Sequence, residues 1–341
     1  MDINNYDIRE KKRRRRKIET TIIKGLIIFT MGTVVGFFAG KFIKNKVIDK
    51  ALPLPENALG DTIVFEAPDD VRTMIEENYY SYLKKAYIMF GEYPNCEYYK
   101  ISAKVKRDDY DFENHFYVKE GEAYVNYYPE SADKPEGEIA IDISGYQGNI
   151  EWDKVKAAGI SVAIIRAGFR GYGEAGTLNE DENFKTYMDG ATAAGIKTGV
   201  YFFSEAVNYD EGVQEAKFVL NMCKGYKITE PIVMDVEYVD GVDYARANDI
   251  SSEDRTQAVK GFCETIKAAG YTPMIYATES YFVRHMNIEE IGDYEFWIAA
   301  YYTPDFPYHV EAWQYSPYGL VPGIDENNVD LNVWLRNKKQ K

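Results

Sequence analysis

The chain has 341 residues, too long for one average domain, and carries 40 basic against 55 acidic side chains, a net charge of −15. That average hides a split: residues 1–50 stand at +8 and the other 291 at −23, a body acidic enough to repel phosphate backbones. Nucleic-acid binding is therefore disfavoured, and 45% hydrophobic residues with only 12 prolines argue against wholesale disorder.

The basic end reads as a membrane address. Residues 1–21 form a basic, cytoplasmic N-terminus around Lys11 to Lys17. Residues 22–42 are apolar apart from Lys24, Lys41 and a few Gly and Thr, and as a helix would span roughly 31 Å. The flanking lysines can snorkel to the interface, and the positive-inside rule sends the bulk of the chain outside a bacterial cell membrane. A cleaved signal peptide shares the basic start, but the run is long and no A-x-A site follows it.

Residues 43–60, with Pro53 and Pro55, read as a linker. Residues 61–130 then form a small Tyr-rich α+β module with 12 tyrosines between Tyr79 and Tyr128. A helix is expected from Pro68 to about Phe90, followed by period-two strands over Tyr98 to Lys106 and Phe116 to Tyr128, the latter broken by a turn at Glu120-Gly121. The module's function is not legible from these residues.

After the polar stretch Ser131 to Gly137, strands alternate with helices through residues 138–336. Three Ala-Ala-Gly phrases, ending at Gly159, Gly195 and Gly270, each close an amphipathic run and lead into a strand, which is how a helix stops before a β-strand. Strands are expected at 139–143, 162–167, 198–203, 232–236, 273–277, 296–300, 310–315 and 329–333, and helices at 152–158, 182–194, 209–223 and 255–269. The fold class is α/β, an irregular TIM-like barrel, with a doubly wound open sheet as the alternative. No G-x-G-x-x-G follows a strand, which weakens a dinucleotide-binding reading.

In such a barrel the chemistry sits at the C-terminal strand ends. Those ends hold acids: Asp142 on the first strand, Asp235 and Glu237 on the fourth, and Asp330 at the start of the last. Residues two apart on a strand share a face, with Cα atoms about 6.5–7 Å apart. Two carboxyls so placed have pKa values pushed apart, one ionised and one protonated, as acid-assisted glycosidic cleavage requires. Eight aromatic residues accompany the acids as candidate sugar-stacking groups: Tyr146, Tyr201, Phe203, Tyr238, Tyr276, Tyr301, Trp313 and Tyr315. No metal or cofactor is expected: the three histidines are not at H-x-x-x-H spacing, and Cys96, Cys223 and Cys263 read as buried free thiols.

From about Glu138 to Leu335 the chain resembles glycoside hydrolase family 25, the N-acetylmuramidase lysozymes of bacteria and phages. The resemblance is carried by Asp142-Ile-Ser-Gly-Tyr-Gln147-Gly148, Gly199-Val-Tyr-Phe-Phe203, Met234-Asp-Val-Glu237, Ala312-Trp-Gln-Tyr315, Gly323-Ile and Val329-Asp-Leu-Asn332. It implies hydrolysis of the β-1,4 bond between N-acetylmuramic acid and N-acetylglucosamine in peptidoglycan glycan strands. It also implies that Glu237 is the general acid, that Asp235 is its partner in orienting the substrate acetamido group, and that Asp142 and Asp330 are the remaining active-site acids. The chain departs from the family pattern twice. Arg166-Ala-Gly-Phe-Arg170 stands where many members have Lys-x-Thr/Ser-Glu-Gly, and the loop Gly323 to Asp330 is one residue longer and adds Asp325. A non-catalytic wall-binding protein or envelope-complex scaffold is the rival to the enzyme.

Overall fold

The computed structural model describes residues 86–90, 97–107, 110–130, 132, 134–325 and 328–336. The expected cytoplasmic segment, transmembrane span and linker, most of the helix begun at Pro68, and Cys96 lie outside the described residues. The chain divides into two compact units at Ile101 and Ser102.

In the first unit, β1 (Tyr87–Phe90) pairs antiparallel with β2 (Glu97–Lys100). The helix expected to run to Phe90 is thus overturned over its last four residues. Tyr-Ile-Met-Phe is a strand-forming run, and β2 supplies its backbone partners. Phe90 and Tyr99 meet edge to face at 5.9 Å. The strand expected over Tyr98 to Lys106 stops at Lys100.

The second unit begins with a hairpin, β3 (Phe116–Tyr117) against β4 (Asn126–Tyr127), whose turn places Gly121 at φ 88°. The expected hairpin is therefore present. Its neighbours differ from the expected domain boundary, because residues 102–130 belong to the same compact unit as the barrel. The Ser102 N–H donates to the Tyr308 hydroxyl at 2.9 Å and its Oγ to Glu289 at 2.7 Å, while Phe112 and Phe116 lie edge-on to Trp313 at 5.3 and 5.5 Å.

The barrel strands are β5 (Glu138–Ile143), β6 (Val162–Arg170), β8 (Lys197–Phe203), β9 (Ile232–Asp235), β10 (Pro273–Thr278), β11 (Glu295–Ala299), β12 (Ala312–Gly319) and β13 (Val329–Trp334). A short β7 (Leu178–Glu180) lies antiparallel on β6, outside the ring. Pairing of β5 with β6 closes the eight strands, which excludes the open sheet. Neighbours are parallel from β5 round to β12, and β13 runs antiparallel between β12 and β5. The barrel is irregular for this reason.

The helices are α1 (Trp152–Ala157), α2 (Phe184–Ala193), α3 (Tyr209–Met222), α4 (Ser252–Ala268), α5 (Glu279–His285) and α6 (Ile288–Ile291). Asn208 and Ser251 cap α3 and α4 by accepting N–H bonds from Glu211 and Asp254, each at 3.0 Å. Gly159, Gly195 and Gly270 follow α1, α2 and α4 with φ of 97°, 71° and 87°, the left-handed turn the Ala-Ala-Gly phrases predict. α5 was not anticipated; the Thr278 side chain caps it by accepting from Tyr281 N.

Alternation along the strands fills the barrel. Ala140, Val162, Ile164, Val233, Met274, Tyr276, Trp297, Ala299, Ala312 and Trp334 make one buried cluster, with Tyr201 packed on it. Polar residues then occupy the inward positions towards the C-terminal ends of the parallel strands. Cys223 and Cys263 are buried and free, and burial pushes the Cys223 thiol up to about 12.

Candidate active site

Four carboxyls meet at this end of the barrel. Asp142 is the penultimate residue of β5, and Asp235 ends β9 with Glu237 two residues further on. Asp330 faces Asp142 directly across the β5–β13 ladder. The antiparallel course of β13 explains how a residue at the start of a strand joins residues at the ends of others. Opposed residues of an antiparallel pair have Cα atoms roughly 4.5–5.5 Å apart.

Asp142 is 7% exposed and held by amides. Its Oδ2 accepts from Gln314 Nε2 at 3.0 Å and from Asn332 Nδ2 at 2.8 Å. Gln314 is oriented in turn, because its Oε1 accepts from the Tyr276 and Tyr301 hydroxyls, both at 2.8 Å. Asn332 Oδ1 accepts from Trp297 Nε1 at 2.8 Å. Every donor in this network points towards Asp142, which favours its ionised form, while burial opposes it and pushes the carboxyl up to about 6.

The other three acids are also raised. Burial lifts Asp235 well above the carboxylate range, with the charge of Glu237 adding to it; the hydrogen bond between the two raises Asp235 and lowers Glu237. Both carboxyls of the pair are therefore raised above their ordinary values, and each depends on the other. Asp235 Oδ1 is buried and has no hydrogen-bond partner among the described residues. Burial pushes Asp330 up to about 9, and the neighbouring Asp142 and Glu237 carboxyls reinforce the shift.

The structure sorts the eight aromatic candidates. Tyr276 is buried and Tyr201 half-buried against the acids, whose charges help to raise both phenols. Phe203 pairs with Asp235 across β8 and β9 and shares the inward parity of Tyr201. Tyr146, Tyr238 and Tyr301 stand on the loops after β5, β9 and β11, exposed to 79%, 56% and 53%. Trp313 and Tyr315 are not brought to the site. Gln314 takes the inward position on β12, so its two neighbours point outward. Trp313 packs on Phe112 and Phe116, and its ring lies 5.8 Å from that of Tyr315.

A family model, Glycosyl hydrolases family 25, matches residues 141–324, more than half of the chain and the whole span from Asp142 past Glu237. The chain belongs to glycosyl hydrolases family 25. An autolytic lysozyme from Clostridium acetobutylicum is 28% identical over 194 residues, 56% of this chain and 54% of its own length. Lysozyme M1 from Streptomyces globisporus is 29% identical over 207 residues, 58% of this chain and 67% of its own. The match thus spans between half and two thirds of these relatives. Among solved structures, a bacterial lysozyme from Streptomyces coelicolor superposes with a TM-score of 0.50 at 28% identity, covering 60% of this chain and 94% of that one. The modular autolysin LytC from Streptococcus pneumoniae, at 22% identity and a TM-score of 0.54, covers 73% of this chain and 56% of its own and shares the fold.

Several residues around this family 25 site escaped the sequence reading as site components. Arg166, inward on β6, donates through Nε to Asp181 at 2.7 Å and lies under the Tyr146 ring at 5.1 Å. Asp181 Oδ2 also accepts from Gly145 N at 2.9 Å, so one carboxylate ties the β5 loop to β6. Asn248 clamps the segment after Glu237 by exchanging hydrogen bonds with Val239 N and O at 2.9 and 2.8 Å. Glu279 accepts from the Tyr302 hydroxyl at 2.8 Å and Asp305 N at 2.9 Å, fixing the loop that bears Tyr301. None of these lies in a short motif; only the closed barrel brings them together. Among the described residues no group of three or more His, Cys, Asp or Glu side chains is arranged to hold a metal ion.

Proposed function

We propose that this family 25 protein hydrolyses peptidoglycan at the β-1,4 bond between N-acetylmuramic acid and N-acetylglucosamine. The reading rests on one observation above the others: four carboxyls at the mouth of the barrel, Asp142 and Asp235 buried and Glu237 and Asp330 half-buried, with raised and mutually dependent pKa values. It is supported by the lysozyme names of the two relatives at 28% and 29% identity.

Glu237 acts as the general acid and Asp235 as its partner. In this reading the pair shares one proton, which Asp235 holds in the resting molecule. A substrate acetamido N–H donating to Asp235 stabilises that carboxylate and drives the proton to Glu237, where it is aimed at the leaving glycosidic oxygen. Asp142, held by the amides of Gln314 and Asn332, supplies negative charge for the oxocarbenium-like transition state. Asp330, pushed up to about 9, stays protonated at neutral pH and serves as a hydrogen-bond donor beside it. Tyr146, Tyr238 and Tyr301 offer exposed rings for sugar faces.

We place the domain outside a bacterial cell membrane, anchored by residues 22–42 with the N-terminus inside. The span lies outside the described residues, and among those described no helix is long and apolar enough to cross a membrane. The support is the basic run before an apolar segment of spanning length. Tethering also suits a body at −23, which long-range charge would not hold on an anionic wall.

The test is wall hydrolysis by the full chain and by Glu237→Gln. Release of reducing ends by the first and not by the second is expected. A wall pull-down without product from either would favour the rival, a non-catalytic wall-binding or envelope scaffold.

A further inference from the structure

Arg166 is unlike every other charged group at the mouth. It is a cation beside Asp235, and its charge opposes the rise of the Asp235 pKa. Its guanidinium is only 16% exposed, so it is not a solvated surface arginine. One edge is spent: Nε donates to Asp181, whose own side chain is 1% exposed. The guanidinium also lies over two rings, Tyr146 at 5.1 Å and Phe169 at 5.6 Å. Asp181 is held by Gly145 N at 2.9 Å and Asn183 N at 3.0 Å, which fixes the plane of the fork. What remains is the Nη1–Nη2 edge, and among the described residues neither nitrogen has a hydrogen-bond partner.

A planar fork with its edge open, its plane locked and its charge partly desolvated is built to receive a planar anion in bidentate fashion. Its strand neighbour in register is Tyr201, whose phenol lies among the acids, so Arg166 borders the reacting site. We infer that Arg166 binds a carboxylate of the substrate next to the scissile bond, and so selects acid-bearing glycan over neutral amino-sugar polymers. The inference rests on the proposed glycan hydrolysis and deepens it. In a muramyl glycan that chemistry has two sources: the lactyl carboxylate where the stem peptide is absent, and an acid of the stem where it is present.

Burial pushes Asp330 up to about 9 and so keeps it protonated at neutral pH, and a bound anion would not face four full negative charges. Arg166 is a specificity residue; the proton transfer is left to the acid pair. Asp181 is a positioning residue acting through it.

The test uses the full chain and three soluble glycan fragments: one with free lactyl carboxylates, the same fragment with those groups converted to methyl amides, and one carrying intact stem peptides. Affinity is read by calorimetry and turnover by reducing-end release, for wild type, Arg166→Gln and Arg166→Lys. Wild type is expected to bind an acid fragment about 10- to 100-fold more tightly than the amide. Arg166→Gln should abolish that preference, raising KM on the acid fragment with kcat within about threefold, and Arg166→Lys should restore part of it because it keeps the charge but not the fork. A preference confined to the free lactyl fragment or to the stem-bearing fragment names the source. Equal affinity of wild type for all three fragments would overturn the inference, as would an equal loss of kcat on acid and amide in Arg166→Gln. Cleavage of none of the fragments would instead overturn the hydrolase reading, and the affinity contrast would still decide the role of Arg166.

Discussion

Two polar clusters lie on either side of the same barrel wall. At the mouth stand Asp142, Asp235, Glu237 and Asp330, and the arginine beside Asp235, Arg166, has its Nε already committed to Asp181. Outside the wall, between β6, β8 and α3, cations match acids. Arg170 pairs with Glu215 at 2.7 Å and Arg246 with Glu211 at 2.6 Å, and the Ser204 hydroxyl donates to Glu215 at 2.6 Å. Burial raises carboxyl pKa values in both places, to about 7 for Glu215 and about 9 for Asp330. The difference lies in what answers the burial. In the outer cluster Arg170 and Ser204 pull Glu215 back towards ionisation, whereas at the mouth neighbouring acids push Asp330 further up. An excess of acid over cation distinguishes a site from a strut.

That contrast can be broken from either side. The largest effect is expected at the mouth. Glu237→Gln, and separately Asp235→Asn, should lower kcat by at least about 10³-fold while leaving the melting temperature unchanged or higher, since each puts a neutral amide where burial and the partner carboxyl disfavour ionisation. Turnover and calorimetry on the same preparations check both halves of that statement.

The outer cluster should answer in the opposite sense. Arg170→Met strands Glu215 in a fully buried position and should cost about 3–5 kcal/mol of stability by denaturant unfolding. Activity per folded molecule should stay within about threefold. Adding Glu215→Leu should recover most of the loss, because the penalty belongs to the unpaired charge.

Deleting residues 102–137 should be of similar size. Phe112 and Phe116 cover Trp313, so a chain beginning at residue 138 is expected to be about 3–6 kcal/mol less stable than one beginning at 102. Equal stability of the two would return the segment to an independent module.

A smaller effect follows from titration. Asp330 has a folded pKa of about 9 against an ordinary 3.8, so folding favours its protonated form. Its contribution is complete below about pH 4 and is lost as pH rises towards 9. The melting temperature should therefore be higher at pH 5 than at pH 8. Asp330→Asn, neutral at every pH, should flatten that slope. The smallest change is expected from Tyr146→Ala, an exposed ring stacked on Arg166, which should raise KM about 2- to 10-fold with little change in kcat.

Much of this molecule was legible in its sequence, and the reasons are local. The Ala-Ala-Gly phrases fixed three helix ends because only a left-handed residue closes those turns. Asp142, Asp235, Glu237 and Asp330 were singled out because chemistry collects at the strand ends of a barrel mouth, and the family motifs fall on the same four. The misses have a common cause too. Trp313 and Tyr315 were assigned to the groove as part of an aromatic set at predicted strand ends, but Gln314 occupies the inward position and strand alternation turns both away. The strand at Tyr87–Phe90 went unseen because an aromatic run reads equally as a helix face until its partner is known. Asp181, Asn248 and Glu279 act through contacts with loops that no spacing rule connects to them.

The central claim is that the acid pair after β9 cleaves a muramyl glycosidic bond. Mass spectrometry of peptidoglycan digested by the full chain tests it most directly. The account predicts fragments ending in reducing N-acetylmuramic acid, absent from the Glu237→Gln digest. Reducing N-acetylglucosamine ends, or identical fragments from both proteins, would contradict it.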